Sequence, residues 1–427
     1  MKNRKIFPEL LKQRDDRKIS LLIGARQVGK TTLLKAIYEK ICTEQKNKGI
    51  FLDLDIFSNF EKINTFENLL NFIKLNGYEE EQKELFYLFL DEFQRYADLS
   101  LIMKNVYDNL KNVKIYASGS SSIRIKSQVQ ESLAGRKKLN LIYPLDFEEF
   151  LLFKEDLEAI TQFNNASKLK GDNLQASLLR LSGLLNEFLV FGGYPEVVLK
   201  KTTKDKIAVL ESIFDLYIKK DLMEYLNIKK IMNFKKLIEY LAINNGQKTK
   251  YDEIAEISSL SYAEVLNYIE VLKETYLINV LKPFFTNKNK ELVKIPKIYF
   301  MDNGVRNFFI NNFNSLNLRE DRGFLFEGYA ISELIKFGLN QEKIKFWQDK
   351  NKHEVDILID EIKTQIPIEI KFKTNVKTDD LISLTNFLKE YPKIKKAYLL
   401  NLSNQKKTKN INFILPFKIS NAILKSI

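Results

Sequence analysis

The chain of 427 residues has very few of the side chains that build disulfides and metal clusters, with one cysteine and one histidine. The single cysteine, Cys42, cannot form an internal disulfide, and its apolar helical surroundings predict a buried thiol in a reducing cytoplasm. The single histidine, His353, adjoins an acidic strand pattern. We interpret this single histidine as a surface or strand-end residue rather than a metal ligand.

Long apolar runs are also missing. No segment reaches the roughly 18 uninterrupted apolar residues that indicate a membrane-spanning helix. The N-terminal segment carries charge throughout and lacks the apolar core of a signal peptide. There is no internal repeat of fixed period and no low-complexity block. We therefore expect a cytoplasmic globular protein of several domains, with no membrane partner.

The charge balance is basic, with 68 lysines and arginines against 55 acidic residues, a net charge of +13. A basic protein suits a nucleic acid or another polyanion. However, the charge is spread along the chain, and an AT-rich genome would produce the same excess of lysine. The basic charge alone therefore gives little support to DNA or RNA as a partner.

The first 150 residues alternate strand and helix patterns, which predicts a parallel sheet with helices on both faces. The predicted strands are 19–23, 49–56, 85–91, 113–119 and 139–145. Helical spacing dominates from there to about residue 230, and mixed patterns follow from residue 303. The fold class predicted is α/β, with four domains: a parallel α/β domain at 1–150, a helical lid at 151–230, a winged helix at 231–302 and a mixed α/β domain at 303–427.

The segment "GARQVGKT" fits the phosphate-loop pattern G-x-x-x-x-G-K-[ST], directly after an apolar strand and at the start of a helix. Its glycines let backbone N–H groups curl towards phosphates, and the helix N-terminus adds a positive dipole. Lys30 is predicted to reach the β and γ phosphates of ATP, and Thr31 to bind Mg²⁺. The predicted nucleotide-binding residues are Gly24, Ala25, Arg26, Gln27, Val28, Gly29, Lys30, Thr31 and Thr32.

Acidic and polar residues end two further apolar strands. Asp91 is predicted to hold Mg²⁺, and Glu92 to polarise the attacking water as a base. In "ASGSSS", Ser118 or Ser120 could contact the γ-phosphate, or the segment could be an ordinary serine-rich turn. Arg136 could reach a phosphate in the same or an adjacent subunit of a homo-oligomer, or lie at the surface.

Six segments together resemble a large prokaryotic family in which an AAA-like ATPase domain precedes a domain of unknown function 4143. They are "LLIGARQVGKTTLL", "LFLDEFQR", "ASGSSS", "SLAGRKKLNLIYPLDFEEFL", "GGYPEV" and "IYFMDNGVRN". The resemblance spans nearly the whole chain and implies a core that binds and hydrolyses ATP. By position, the resemblance places six residues in the site that binds and hydrolyses ATP: Lys30, Thr31, Asp91, Glu92, Ser118 and Arg136. It implies no particular substrate.

Residues 231–300 show three helix patterns followed by strand patterns, the order of a winged helix. The third helix, about 261–276, has more acidic than basic residues and would repel phosphates in a major groove. The segment after it is basic and could contact a nucleic-acid backbone as a wing. Both a packing module and a DNA contact remain open. The basic residues are Lys282, Lys288, Lys290, Lys294 and Lys297.

Carboxylates cluster in the C-terminal pattern. Glu327 falls inside the apolar face of a predicted helix, where a carboxylate needs a partner or a metal. Asp356 and Glu369 lie on two strands that predict a hairpin, with Lys371 two residues further along. The order resembles the PD-(D/E)XK nuclease superfamily, although Val355 replaces the expected proline. The resemblance implies Mg²⁺ bound by Asp356 and Glu369, with Glu327 as an accessory ligand and Lys371 orienting water.

Three functions follow from these patterns. The first is an ATPase whose nucleotide state controls a nuclease-like domain that acts on or binds nucleic acid. The second is a regulatory ATPase switch whose C-terminal domain only binds a protein or nucleic acid. The third is a kinase-like phosphotransferase, which Asp91 and Glu92 disfavour because they point to water as the nucleophile.

Overall fold

The structure is a computed structural model of the chain. It describes residues 4–424 except 97, 121–131, 167–170, 217–230, 288, 290, 292–293, 363, 404–407 and 409. Its internal contacts divide the chain into two compact units. The first runs to Tyr143 and includes Glu274–Tyr276, and the second comprises Pro144–Lys273 and the chain from Leu277 onwards. The end of the predicted helical lid, residues 217–230, lies outside the described residues.

The first unit is built on a five-stranded sheet whose strand pairs are all parallel. Its strands are β1 (Ile19–Gly24), β2 (Gly49–Asp53), β3 (Phe86–Asp91), β4 (Val113–Ser120) and β5 (Lys137–Ile142), in the order β2-β3-β4-β1-β5. Its helices are α1 (Phe7–Lys12), α2 (Lys30–Tyr38), α3 (Phe57–Glu61), α4 (Phe66–Leu75) and α5 (Leu99–Asn109). The predicted parallel α/β fold is therefore confirmed.

The burial of these strands explains why they form a parallel sheet. Every residue of β1, β3 and β4 is buried, as expected for central strands covered on both faces. The strand predicted at 49–56 ends earlier, because the side chain of Asp53 accepts a hydrogen bond from the N–H of Asp55 and turns the chain. Cys42, predicted to be buried, is only half-buried and lies in a π-helical turn, Glu39–Glu44, that follows α2. Burial still raises the pKa of its thiol to about 12.

The second unit begins with helices and continues into a mixed sheet. The first helices are α6 (Phe147–Lys154), α7 (Leu157–Asn165), α8 (Gly171–Phe191), α9 (Pro195–Leu199) and α10 (Thr203–Leu216). They are followed by α11 (Ile231–Ile243), α12 (Tyr251–Ser258) and α13 (Tyr262–Glu274). Among the described residues, no helix of the chain combines the length and apolar character needed to cross a bilayer.

Seven strands form the sheet of the second unit, in the order β12-β11-β10-β9-β8-β6-β7. They are β6 (Ile278–Pro283), β7 (Lys297–Phe300), β8 (Ile344–Gln348), β9 (Glu354–Asp360), β10 (Gln365–Ile370), β11 (Ala397–Leu400) and β12 (Ile411–Ile414). The remaining helices are α14 (Asn303–Phe309), α15 (Arg322–Lys336), α16 (Ile382–Glu390) and α17 (Ile419–Leu424). The predicted succession of a helical region and a C-terminal mixed α/β region is confirmed.

The region predicted as a winged helix contains α11, α12 and α13, followed by the antiparallel pair β6–β7. This pair is not a separate wing, because β6 also pairs with β8 and joins the C-terminal sheet. Lys288 and Lys290 of the predicted basic wing lie outside the described residues. Lys297, which the open alternative of a basic wing included as a possible nucleic-acid contact, is 4% exposed. It does not serve as a surface contact, because it belongs to a buried ion pair on β7.

A buried ion-pair network fixes the start of α15. Asp321 pairs with Arg306 on α14 and accepts two hydrogen bonds from Arg319, at 2.8 and 2.7 Å. Both arginine side chains are nearly inaccessible to water. Burial raises the pKa of Asp321, but the two guanidinium groups outweigh it and lower that pKa to about 2.

We expect Asp321→Asn to lower the free energy of unfolding by about 2–3 kcal/mol, since it removes a charged acceptor from two buried arginines. The folded pKa of Asp321 lies below its unfolded value of about 3.9. Its stabilisation is therefore complete above about pH 4 and is lost as the pH falls towards 2. Urea unfolding at several pH values measures both effects, with the exposed Asp379→Asn as control. Equal stability of the two variants would contradict the prediction.

Candidate functional site

The phosphate-loop segment joins β1 to α2 in the first unit. Gln27 and Gly29 have left-handed backbones, with φ of 57° and 95°, which curls the loop over the start of the helix. Lys30 is 5% exposed, and its Nζ donates to the carbonyl oxygens of Gly24 and Ala25 at 3.1 and 2.7 Å. Thr31 lies half-buried in the first helical turn. The loop therefore holds its lysine at the helix N-terminus, where phosphates bind in such loops.

Close packing and an arginine outside the motif hold this loop in place. A Cβ at Gly24 would lie 2.0 Å from the carbonyl oxygen of Ile142 on β5, so only glycine fits there. The guanidinium of Arg4 donates to the carbonyl oxygens of Val28 and Tyr143, at 2.8 and 2.9 Å. Sequence reasoning missed Arg4, because no local pattern connects it to a loop more than 20 residues away.

Asp91 and Glu92 lie at the end of β3, next to β4. Asp91 is 2% exposed and accepts a hydrogen bond from the hydroxyl of Ser118 on β4. Glu92 has a left-handed backbone, with φ of 55°, and its carboxylate accepts a hydrogen bond from the amide of Gln94. Burial raises the pKa of Glu92, and the nearby Lys30 ammonium opposes that shift. The structure thus brings Lys30, Asp91, Glu92 and Ser118 into one neighbourhood.

Arg136 is placed differently from these residues. Its guanidinium donates to both carboxylate oxygens of Asp108, at 2.7 and 3.1 Å, in a partly exposed pair. A contact with a phosphate would require Arg136 to leave Asp108, so its phosphate role remains a prediction. Ser120 is buried at the end of β4, and Ser121 and Ser122 lie outside the described residues.

The acidic residues predicted near the C-terminus gather on β9, β10 and α15 of the second unit. Glu327 accepts a hydrogen bond from the hydroxyl of Tyr299 at 2.7 Å. Asp356 accepts one from the N–H of Ile370 at 2.7 Å, which fixes it against β10. Glu369 forms an ion pair with Lys371. β10 ends at Ile370, so Lys371 extends from just beyond the strand.

Two members of this acidic site come from β7, and sequence reasoning did not assign them. Lys297 pairs with Glu354 at the start of β9, and Tyr299 binds Glu327. Alternation along β7 places Lys297 and Tyr299 on one face. This pattern can be read from the sequence, but it connects the two residues to the acidic site only when β7 is known to belong to the C-terminal sheet. His353 lies just before β9, with Nδ1 2.7 Å from Asp349, at a strand end as predicted.

Burial and the proximity of these carboxylates shift their pKa values. Burial, reinforced by Asp356, raises the pKa of Glu327 to about 8. Burial also raises the pKa of Asp356, against the opposing effect of Lys371 and Lys297. The pKa of Glu369 lies well above its usual value, first because of burial and then because of Asp356. The site therefore favours bound protons or additional positive charge.

The carboxylates of this site offer only part of a ligand set for a divalent cation. One carboxylate oxygen of Glu369, Oε2, is buried without a hydrogen-bond partner, which suits an acceptor for a cation. However, within the described part of the chain, no group of three or more aspartate, glutamate, histidine or cysteine side chains is arranged to hold a metal ion. Glu327, Asp356 and Glu369 are thus neighbours whose oxygens do not converge as a complete ligand set. Their metal role remains a prediction.

A parallel sheet with a phosphate loop after β1 and an acidic pair after β3 defines the first unit as a P-loop NTPase. Residues 16–151 match the family described as an AAA domain, and residues 322–419 match the domain of unknown function 4143. The predicted combination of an AAA domain with a C-terminal domain of unknown function 4143 is therefore confirmed. Residues 182–316 match a further domain of unknown function, 8612.

The chain is similar to two proteins that are described as uncharacterized proteins. One from Methanocaldococcus jannaschii is 29% identical over 353 residues, covering 80% of this chain and 72% of the relative. One from Haemophilus influenzae is 22% identical and covers 90% of each chain. Among solved structures, a Walker-type ATPase of Pyrococcus abyssi has a TM-score of 0.46 at 15% identity, covering 73% of this chain and 96% of that one. The Aeropyrum pernix ORC1 protein in complex with DNA has a TM-score of 0.32 at 12% identity, covering 72% and 91%.

Proposed function

We propose that the first unit binds and hydrolyses ATP with Mg²⁺. The observation that carries this proposal is the grouping of Lys30, Asp91, Glu92 and Ser118 around the phosphate loop. Lys30 would release its loop carbonyls and bind the β and γ phosphates. Glu92 would accept the proton of the attacking water, and Ser118 would keep Asp91 oriented.

Thr31 and Asp91 would hold the magnesium ion, which supplies charge neutralisation for the phosphates. Water rather than a substrate hydroxyl is the nucleophile in this proposal, because Glu92 lies beside the loop as a base. This favours hydrolysis over the kinase-like alternative. Arg136 would assist from the same or a neighbouring subunit of a homo-oligomer after leaving Asp108.

We also propose that the second unit carries a nuclease-like site that acts on nucleic acid, and that the nucleotide state of the first unit controls it. The supporting observation is the buried carboxylate oxygen of Glu369 without a partner, next to Asp356 and Lys371. Asp356 and Glu369 would bind Mg²⁺, Lys371 would orient water, and Glu327 would be an accessory ligand. The net charge of +13 suits a phosphate backbone.

A regulatory switch is the second candidate. It is favoured by the incomplete convergence of the three carboxylates, because a binding module needs no complete metal site. In that case ATP would change the affinity of the second unit for a protein or nucleic acid, and no bond would be cut.

A plasmid assay separates these two candidates. We expect the wild-type protein to nick supercoiled plasmid in Mg²⁺, with a rate that changes on addition of ATP. Glu369→Ala/Lys371→Ala should not cut, since it removes the ligand and the cation beside it. Lys389→Ala, at an exposed position, removes a positive charge away from the site. It serves as a control for the loss of nonspecific binding to DNA.

Each outcome of the assay has a distinct meaning. Equal cutting by wild type and double variant assigns the cleavage to contamination and contradicts the nuclease proposal. If neither protein cuts, but a gel-shift assay detects ATP-dependent DNA binding, the switch is supported instead. Cutting that ignores ATP would contradict nucleotide control alone.

A further inference from the structure

The short segment after β3 places an amide against the proposed catalytic carboxylate. Gln94 lies in a 3₁₀ turn, Phe93–Arg95. Within this turn, the N–H of Arg95 donates to the carbonyl oxygen of Glu92 at 3.1 Å. The Nε2 of Gln94 donates to Oε2 of Glu92. The left-handed backbone of Glu92 and this turn together direct both side chains to the same place. Gln94 therefore contacts the proposed base without being part of the phosphate loop.

The other end of the Gln94 amide, its carbonyl oxygen Oε1, lies against Gly119 on β4. Its Oε1 is buried without a hydrogen-bond partner. A Cβ added at Gly119 would lie 2.7 Å from that oxygen and 2.8 Å from the ring of Phe93. The absence of a side chain at Gly119 therefore leaves room for the amide oxygen of Gln94 beside β4. This close approach explains a glycine immediately after Ser118, in a strand that is otherwise fully packed.

A buried carbonyl oxygen without a partner is unfavourable, because it loses the hydrogen bond that water would provide. The amide orientation follows from its neighbour, since a carboxylate accepts from the N–H₂ end and would repel the carbonyl end. Gln94 thus has one strong contact, with Glu92, and one steric contact, with Gly119. Removing either contact changes where the Glu92 carboxylate is held.

We propose that Gln94 is the positioning residue of the ATPase site, wedged between Glu92 and Gly119 so that β4 sets the direction of the catalytic carboxylate. The inference rests on the proposed ATP hydrolysis and adds to it a residue outside the phosphate-loop and acidic-pair motifs. A base held by a third group is the arrangement that activated nucleophiles generally need. Since β4 also carries Ser118 against Asp91, one strand aligns both acidic residues.

Steady-state ATP hydrolysis by the full chain tests the proposal. Gln94→Met keeps the length of the side chain but removes the donor, and we expect kcat to fall about tenfold to a hundredfold, as for other supporting partners of catalytic groups. KM for ATP should stay within about twofold, because Gln94 contacts the base and not the loop. Gln94→Glu, which replaces the donor by a second acceptor, should be at least as slow.

A second perturbation reaches the same contact from β4. Gly119→Ala should displace the amide of the intact Gln94 and reproduce the fall in kcat. If both substitutions act on one contact, the double variant should be no slower than the slower single variant, whereas independent effects would multiply. Gln82→Met is the matched control, since Gln82 is a half-buried glutamine of the same unit in the loop before β3.

Binding measurements add a readout that does not depend on turnover. A fluorescent ATP analogue should bind wild type and Gln94→Met equally, while trapping of ADP with aluminium fluoride and Mg²⁺, which mimics the transition state, should be weaker in the variant. Unchanged kcat, increased kcat, or an equal loss in Gln82→Met would overturn the positioning role. Wild-type protein that hydrolyses no ATP would instead overturn the proposed function itself.

Discussion

Glu92→Gln is expected to slow ATP hydrolysis by about 10²–10⁴-fold, the contribution typical of a general base, while ATP still binds. The amide cannot accept the proton of the attacking water at neutral pH. Lys30→Ala is expected to abolish hydrolysis through a different step, because it removes the ammonium that would hold the β and γ phosphates. Its affinity for ATP should fall as well, which separates the two roles.

Phosphate release and binding of a fluorescent ATP analogue measure the two variants side by side. Lys35→Ala is a suitable control, since Lys35 lies on the same helix, α2, but is exposed and five residues further along. Hydrolysis that persists in Lys30→Ala would contradict the ATPase proposal. Loss of binding in Glu92→Gln would show that Glu92 supports the loop and does not act as a base.

The ATPase unit was predictable because its signals are local. Gly24 to Thr31 follow β1 directly, and Asp91 and Glu92 end β3, so a short window of sequence contains both the residues and their structural context. Alternation of apolar strands with helices then fixed the parallel sheet. Sequence reasoning could not predict that β4 lies between β1 and β3, which is what brings Ser118 to Asp91.

Residues that act through distant contacts were missed for the same physical reason. Arg4 supports the phosphate loop from before α1, and Gln94 acquires its position only from Gly119 on β4. Lys297 was considered only as part of a basic segment that could form a wing, because its neighbours in sequence are basic. Its burial follows from the pairing of β6 with β8, which joins β7 to the C-terminal sheet, where the Lys297 side chain reaches Glu354 at the start of β9.

The acidic site of the second unit depends on this buried lysine. Among the described residues, the carboxylates whose electrostatic effects reach one another are Glu327, Glu354, Asp356 and Glu369, and the cations beside them are Lys297 and Lys371. Two ammonium groups cannot balance four ionised carboxylates. Burial is the largest cause of the raised pKa values of Glu327, Asp356 and Glu369, and neighbouring carboxylates add to it. A divalent cation would offset this excess of negative charge.

Lys297→Met is therefore expected to lower the free energy of unfolding by about 3–5 kcal/mol at neutral pH, because removing one partner leaves buried charge uncompensated. Lys294→Met, at an exposed neighbouring position, should have little effect. If the carboxylates bind Mg²⁺ as proposed, millimolar Mg²⁺ should stabilise Lys297→Met more than wild type, since a ligand that binds only the folded state adds to its stability. Urea unfolding in EDTA and in Mg²⁺ measures both effects. A variant as stable as wild type in EDTA would show that Lys297 does not neutralise the site, and an equal Mg²⁺ effect on all three proteins would contradict a cation at these carboxylates.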